Sequence, residues 1–182
     1  EVMAIGHSQR GAPAAAGQAD LVGIERTVRR WWVVKPKTEV WSGELRPSGY
    51  KAPLIGREWT WGVTDCWSLV RDWYAEHGIA LRDWERPLSP IDFEQSPMFD
   101  QCWKDTGFYE LQDEDEYKYG DALLMNISGT GLNHCAVYVG DQLVLHHIRG
   151  RLSSRDLLGG WLFKCLGRRL RHYDADRLEA VS

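Results

Sequence analysis

The stretch DCWSLVRDWYAEHG, residues 65–78, decides the fold. Its apolar or sulfur-bearing positions, 66, 69, 70, 73 and 74, recur on one face at helical period. Thr64 or Asp65 can cap the start and Gly78 can stop the end, so the spacing predicts a helix over 65–78. Cys66 falls in its first turn. There, unpaired backbone N–H groups and the positive end of the helix dipole stabilise a thiolate, lowering the pKa from ~8.5 and making the sulfur a nucleophile near neutral pH.

Downstream, a second helix is expected around Phe93 to Asp105, with Pro97 inside it, followed by an acidic loop from Leu111 to Glu116. Three strands come next: Asp121 to Ile127, Asn133 to Val139 and Leu143 to Ile148. Ser128-Gly129-Thr130-Gly131 supplies turn chemistry between the first two, and Gly140-Asp141 makes a tight hairpin turn before the third. A basic tail from Arg149 to His172 adds a short helix near Leu158 to Leu166 and a last strand at Arg168 to His172. Helices followed by an antiparallel meander define an α+β domain. Upstream, Gly11 to Gly17 reads as an exposed loop, Ala19 to Thr27 as a short helix, and Arg30 to Val34 with Thr38 to Trp41 as a hairpin. Glu44 to Gly56, carrying Pro47, Gly49 and Pro53, reads as a linker.

Composition excludes several classes. With 22 Lys+Arg against 26 Asp+Glu, the net charge of −4 gives no overall positive field for nucleic acid. Ten Trp, seven Tyr and four Phe are too much aromatic surface for a disordered chain. No apolar run approaches the ~18 residues a membrane span needs, and the first residues lack the pattern of an export signal. The four cysteines, Cys66, Cys102, Cys135 and Cys165, are too far apart for a zinc knuckle, and 182 residues can build a core without disulfide staples. Cys102, Cys135 and Cys165 are expected to be buried, inert thiols. His77 is assigned to the dipole at a helix end and His172 to a strand surface; Trp31, Trp32, Trp41, Trp73, Trp103 and Trp161 are core candidates.

A thiol at a helix start needs a base. His134 lies on the strand Asn133 to Val139, whose alternation is expected to turn the imidazole toward the helix. Twelve residues later, His146 falls on the next strand, where it can share the far ring nitrogen's proton and fix the tautomer. Its neighbour His147 must point to the opposite face. A two-residue Gly140-Asp141 turn would put position 147 opposite His134. Choosing His146 therefore requires a bulge or a longer turn around Asp141-Gln142.

The run Trp59-Thr60-Trp61-Gly62-Val63-Thr64-Asp65-Cys66-Trp67-Ser68-Leu69-Val70 resembles the signature of the NlpC family of papain-like cell-wall cysteine peptidases. Gly120-Asp121, His134 with Tyr138 four residues on, Gly140-Asp141 and His146 follow in matching order. The resemblance implies an α+β papain-like fold, its nucleophile helix packed on an antiparallel sheet, over residues 57–175, with 176–182 a tail. It also implies a triad of Cys66 as nucleophile, His134 as base and His146 as orienting residue. The implied substrate is the peptidoglycan stem peptide, cut between D-glutamate and the diamino acid, with no cofactor. Two departures flank the nucleophile: Trp67 replaces a Ser, and Trp59 replaces a Tyr whose hydroxyl both donates and accepts, whereas an indole N–H only donates. Trp59, Asp65 and Trp67 are the candidate substrate-binding residues.

The Gly62-Val63-Thr64-Asp65-Cys66 approach, the Trp31-Trp32 pair, Asn133-His134 and the doublet His146-His147 resemble the phage tail-assembly members of that family. This implies tail-tip proteins as partners, synthesis in the host cytoplasm, a place in the virion tail, and action in the cell wall or periplasm, while charge and the absence of a long apolar run give no nucleic-acid partner and no membrane span. In such proteins a JAB-type (JAMM) metalloprotease domain comes first. His7-Ser8-Gln9, Gly17 and Asp20 resemble the end of its zinc motif, with Gln9 in place of a His and only Glu1 available as the upstream acid. Two ligands leave a catalytic zinc underbound, so residues 1–43 read as a metal-less remnant or the surviving end of a longer chain, a helix-hairpin appendage joined by the linker 44–56; the alternative is that His7 and Asp20 are plain loop residues. The leading expectation is a phage tail-associated murein endopeptidase. The alternatives are a non-catalytic tail-tip or peptidoglycan-binding module that keeps the fold, and a zinc site made from Cys66, His134 and His146.

Overall fold

The computed structural model describes residues 6–8, 16–28, 30–35 and 40–178. The chain divides into two compact units, residues 1–53 and 54–182.

In the first unit, β1 (Gly6–Ser8) runs parallel to β2 (Trp32–Lys35), which pairs antiparallel with β3 (Val40–Trp41). A parallel pair needs a crossover, and α1 (Gln18–Thr27) supplies it. β1 is a strand that the helix-hairpin expectation lacked. Ile24 and Val33 are buried, and the Trp31 ring lies where a side chain on Gly23 would stand. Asp20, in the first turn of α1, turns back on the helix start: its Oδ2 accepts the N–H of the N-cap residue Gly17 at 2.9 Å. Gln9, Glu1 and most of the expected 11–17 loop lie outside the described residues.

In the second unit, α2 (Cys66–Glu76) is the predicted helix. Asp65 is its N-cap, and Gly78 (φ +79°) follows its end. The expected 93–105 helix is instead α3 (Pro90–Glu94), α4 (Met98–Cys102) and a 3₁₀ turn over Trp103–Thr106. Pro97 is the reason: it lacks the N–H an unbroken helix would use there, and it stands as the N-cap of α4.

The sheet has the order β4 (Phe108–Glu110), β9 (Leu166–His172), β5 (Ala122–Met125), β6 (His134–Tyr138), β7 (Leu143–His146), β8 (Ser154–Leu157), with every pairing antiparallel. The two edge strands, β4 and β8, were not expected. Both are short, and β8 alternates half-buried with exposed residues, so neither carries a strong apolar pattern. One face of the sheet packs on Leu69, Val70, Trp73 and Tyr74 of α2 through Leu124, Cys135, Val137, Leu145 and Leu170. The other turns Leu123, Met125, Ala136 and Val144 toward Leu158 and Leu162, the latter on α5 (Gly160–Lys164). Among the expected core residues, Trp73 and Trp103 are buried but Trp161 is 53% exposed. His172 is not a surface residue: it is buried against Phe108 and Tyr74, because the short strand β4 covers β9. Cys135 is buried as expected, whereas Cys102 and Cys165 are only partly so.

At the centre, Arg171 on β9 grips Asp121 with both nitrogens, Nε to Oδ1 at 2.7 Å and Nη2 to Oδ2 at 2.9 Å. Asp121 is fully buried and also accepts the Lys118 N–H. The preceding Gly120 has φ +88°, and a Cβ there would clash with Leu178 Cδ1. Removing one partner of a buried ion pair strands the other, so Asp121→Ala should cost about 3–5 kcal/mol in a urea unfolding titration. A loss below about 1 kcal/mol would show that the pair does not support the sheet.

Candidate active site

The site is built on the capped end of α2. Asp65 Oδ1 accepts the Ser68 N–H and hydroxyl, each at 2.9 Å, and Oδ2 accepts the Gly62 N–H at 2.9 Å. Arg86 clamps the same carboxylate, Nε to Oδ2 at 3.1 Å and Nη2 to Oδ1 at 3.2 Å. Burial works to raise the Asp65 carboxyl, but the Arg86 charge and the Ser68 hydrogen bonds outweigh it and hold the group below its ordinary range. Asp65 is thus fully committed to the cap, and it does not line the groove described below. Trp67 is buried as well, stacked on Trp84 with ring centroids 4.1 Å apart. The structure therefore gives two of the three expected substrate-side residues other work, and only Trp59 lines the groove.

Cys66 opens the helix and is buried to 6% exposure. Its thiol is lowered to about 5, first by a hydrogen bond from the Cys135 thiol and then, against the cost of burial, by His134. Cys135 is pushed the other way by burial and by the neighbouring Cys66, so it remains a thiol and acts as the donor. Sequence reasoning set Cys135 aside as an inert core residue. The signal available was its position: Cys135 shares a face with Val137 and Leu145, the face that packs on α2.

The same alternation corrects the expectation for His134. Ala136 belongs to the opposite face, so His134 is not turned to the helix by strand parity. It meets Cys66 from the first residue of β6, where both line one groove.

The hairpin register brings in His146. Gly140, Asp141 and Gln142 all have positive φ (+87°, +49° and +59°), and Val139 N–H bonds to Leu143 O at 2.9 Å. The loop is therefore three residues rather than two, and Ala136 pairs with His146. His134 and His146 then share a face as diagonal neighbours, with His134 Nε2 and His146 Nδ1 3.2 Å apart. His147 points the other way, its Nε2 against Arg151 O at 3.1 Å, and burial lowers its pKa to about 4. Burial and the nearby His134 also lower His146, against the pull of Asp156. Asp156 Oδ2 lies 3.0 Å from His146 Nε2, and its carboxyl is held low first by that hydrogen bond.

Cys66 and His134 open on a groove of about 220 Å³ walled by Trp59, Trp61, Phe93, Glu94, Asn133 and Arg149. Trp61 is fixed by its indole N–H to Pro87 O at 2.9 Å, and the Arg149 guanidinium lies 6.0 Å over the Trp59 ring. A thiolate at a helix start, an imidazole beside it and a second imidazole behind that can together run nucleophilic attack and proton transfer at a bound carbonyl. Among the described residues no group of three or more His, Cys, Asp or Glu converges to hold a metal.

This arrangement defines a class of protein. A model of the NlpC/P60 family matches residues 56–169, and the chain belongs to that family. Its relatives include the tail tip assembly protein K of Escherichia phage N15, 31% identical over 171 residues, covering 88% of this chain and 65% of that protein. The tail tip assembly protein K of Escherichia phage lambda is 31% identical over 156 residues, covering 86% of this chain and 74% of that protein. The chain thus spans less than two thirds of the length of the phage N15 protein. Similar solved structures include an NlpC/P60 family protein of Bacillus cereus (20% identity, TM-score 0.46, 79% of this chain and 50% of that one). Another is an NLP/P60 family protein, described as similar to lipoprotein, from Staphylococcus aureus (21% identity, TM-score 0.44, 65% of this chain and 37% of that one).

The hydrogen bond from Cys135 has a measurable consequence. Thiolate absorbance near 240 nm, taken as parent minus Cys66→Ser, should appear with a midpoint near pH 5. Cys135→Ala should move that midpoint upward and Cys135→Ser should restore most of the shift, since a hydroxyl can donate in place of the thiol. Equal midpoints in parent and Cys135→Ala would remove Cys135 from the site.

Proposed function

We propose that the chain is a cysteine peptidase of a phage tail tip that hydrolyses amide bonds in peptidoglycan stem peptides, between D-glutamate and the diamino acid. One observation carries the reading: Cys66 at the start of α2 shares a groove with His134, whose far nitrogen meets His146 at 3.2 Å. The family supports the peptidase chemistry, and the two tail tip assembly relatives support the setting.

In this account His134 holds the proton of Cys66, and the thiolate sulfur attacks the scissile carbonyl carbon. A C–S bond forms as the carbonyl electrons move onto oxygen, which the backbone N–H groups and dipole of the first turn of α2 stabilise. Collapse of this intermediate breaks the C–N bond, and His134 passes its proton to the leaving amine. Water then attacks the thioester, giving a proton to His134, and the acid leaves as Cys66 regains its thiolate. Glu94 and Arg149, 3.9 Å apart at the groove, offer both signs of charge to a substrate rich in free carboxylates and amines. The protein is made in the host cytoplasm, joins tail-tip partners and acts in the cell wall or periplasm. Residues 1–43 serve as an appendage without a metal of their own.

The test is turnover of defined muropeptides, read by mass spectrometry. Cys66→Ala should abolish hydrolysis with an unchanged circular dichroism spectrum. His146→Ala should lower kcat by about 10²–10⁴-fold, and EDTA should leave the parent's turnover unchanged. Equal turnover by Cys66→Ala and parent would end the proposal. Peptidoglycan binding by a parent that does not cleave would replace it with a binding module.

A further inference from the structure

Behind the two imidazoles lies a group that the triad does not use. Asp156 sits on the edge strand β8, where it pairs with Val144, and its carboxylate reaches His146 Nε2 at 3.0 Å. His146 itself is 1% exposed, whereas the Asp156 side chain is 31% exposed. The charged and titratable groups around the pair are Arg151, with Nη2 3.9 Å from Asp156 Oδ2, and His134 on β6; Ser154 on the same strand adds a hydrogen bond to the carboxylate.

The hydrogen bonds fix where the protons sit. A carboxylate only accepts, so the proton between Asp156 and His146 belongs to His146 Nε2. A neutral His146 then has its lone pair on Nδ1. That lone pair faces His134 Nε2, which must be the donor across 3.2 Å. His134 Nδ1 is left to face the thiol side, to receive a proton or to hold one. The order holds whether His134 is neutral or charged, because an imidazolium also needs an acceptor at His146 Nδ1. Without Asp156, His146 can place its proton on Nδ1 instead. Two N–H groups would then oppose each other, or His134 would be forced into the tautomer whose Nδ1 already carries hydrogen and cannot accept.

We propose that Asp156 is a fourth, positioning residue of the site, a carboxylate that locks the tautomer of His146 and through it the orientation and proton of His134. The proposal rests on the peptidase reading for its effect on rate, but its structural content is independent of turnover. Asp156 touches neither thiol nor substrate and acts only through the two rings. Its charge also faces the imidazolium that forms during attack, so it contributes when charge separates and not when substrate binds.

The experiment combines ¹⁵N spectra of histidine-labelled protein with kinetics on muropeptides. In the parent, His146 should show hydrogen on Nε2 and a bare Nδ1. In Asp156→Ala the two tautomers should mix, and kcat should fall roughly 10–100-fold with KM nearly unchanged. Asp156→Asn, whose amide oxygen still accepts but brings no charge, should restore the tautomer and leave kcat low. Asp156→Glu should recover both in part. A parent His146 with hydrogen on Nδ1 would overturn the proposal, as would an Asp156→Ala protein with parental tautomer and kcat. If the parent does not hydrolyse muropeptides, the peptidase reading fails, while the tautomer spectra of parent and Asp156→Ala still decide this proposal.

Discussion

The structure of the site depends on the N-terminal cap of α2. Asp65 gathers the N–H groups of Gly62 and Ser68 and the Ser68 hydroxyl, and Arg86 neutralises it from the side. A buried carboxylate without that guanidinium would carry an uncompensated charge, and the turn before Cys66 would have no fixed geometry. With the clamp in place, the chain enters the helix at one angle and Cys66 is always its first residue. The thiolate then gains from the helix end, the Cys135 thiol and His134 together, which offsets the cost of burying it. The aromatic rings of Trp67, Trp84 and Phe99 pack against one another beside the same turn.

The second constraint is register. A hairpin has a side-chain period of two, so one added loop residue exchanges the faces of a whole strand. The three positive-φ residues Gly140, Asp141 and Gln142 make that addition, and they turn His146 toward His134 while His147 goes to the helix side. The polar chain running from Cys66 through His134 and His146 to Asp156 thus crosses the sheet on one line, held at one end by a capped helix and at the other by an edge strand.

How much of this was legible in the sequence follows from which signals are local. The face of α2 and the position of Cys66 can be read because helical period and capping residues are contiguous. His134 and His146 could be singled out by their spacing, and the tension over His147 pointed to an irregular turn before its form was known. The three-residue loop itself was not legible, since Asp141 and Gln142 carry no glycine to announce a positive φ. Asp156 was missed because β8 is four residues of polar edge strand, and such a segment looks like a loop. Cys135 was missed for a different reason: its neighbour across the core is 69 positions away by sequence number, and the alternation of the strand was assigned with His134, not Cys135, on the face toward the helix. The 93–105 region is not one helix because Pro97 divides it, ending the first short helix and opening the second. His172 failed because β4, which buries it, was not foreseen.

The central claim is that position, not exposure, makes Cys66 the reactive thiol. Cys102 and Cys165 are more exposed, while Cys66 and Cys135 are buried. Limiting iodoacetamide at pH 6, followed by peptide mapping, sets these two influences against each other, because an ordinary thiol of pKa ~8.5 is almost wholly protonated there. The account predicts that Cys66 is alkylated first, ahead of all three other cysteines. Label appearing first on Cys102 or Cys165 would contradict it.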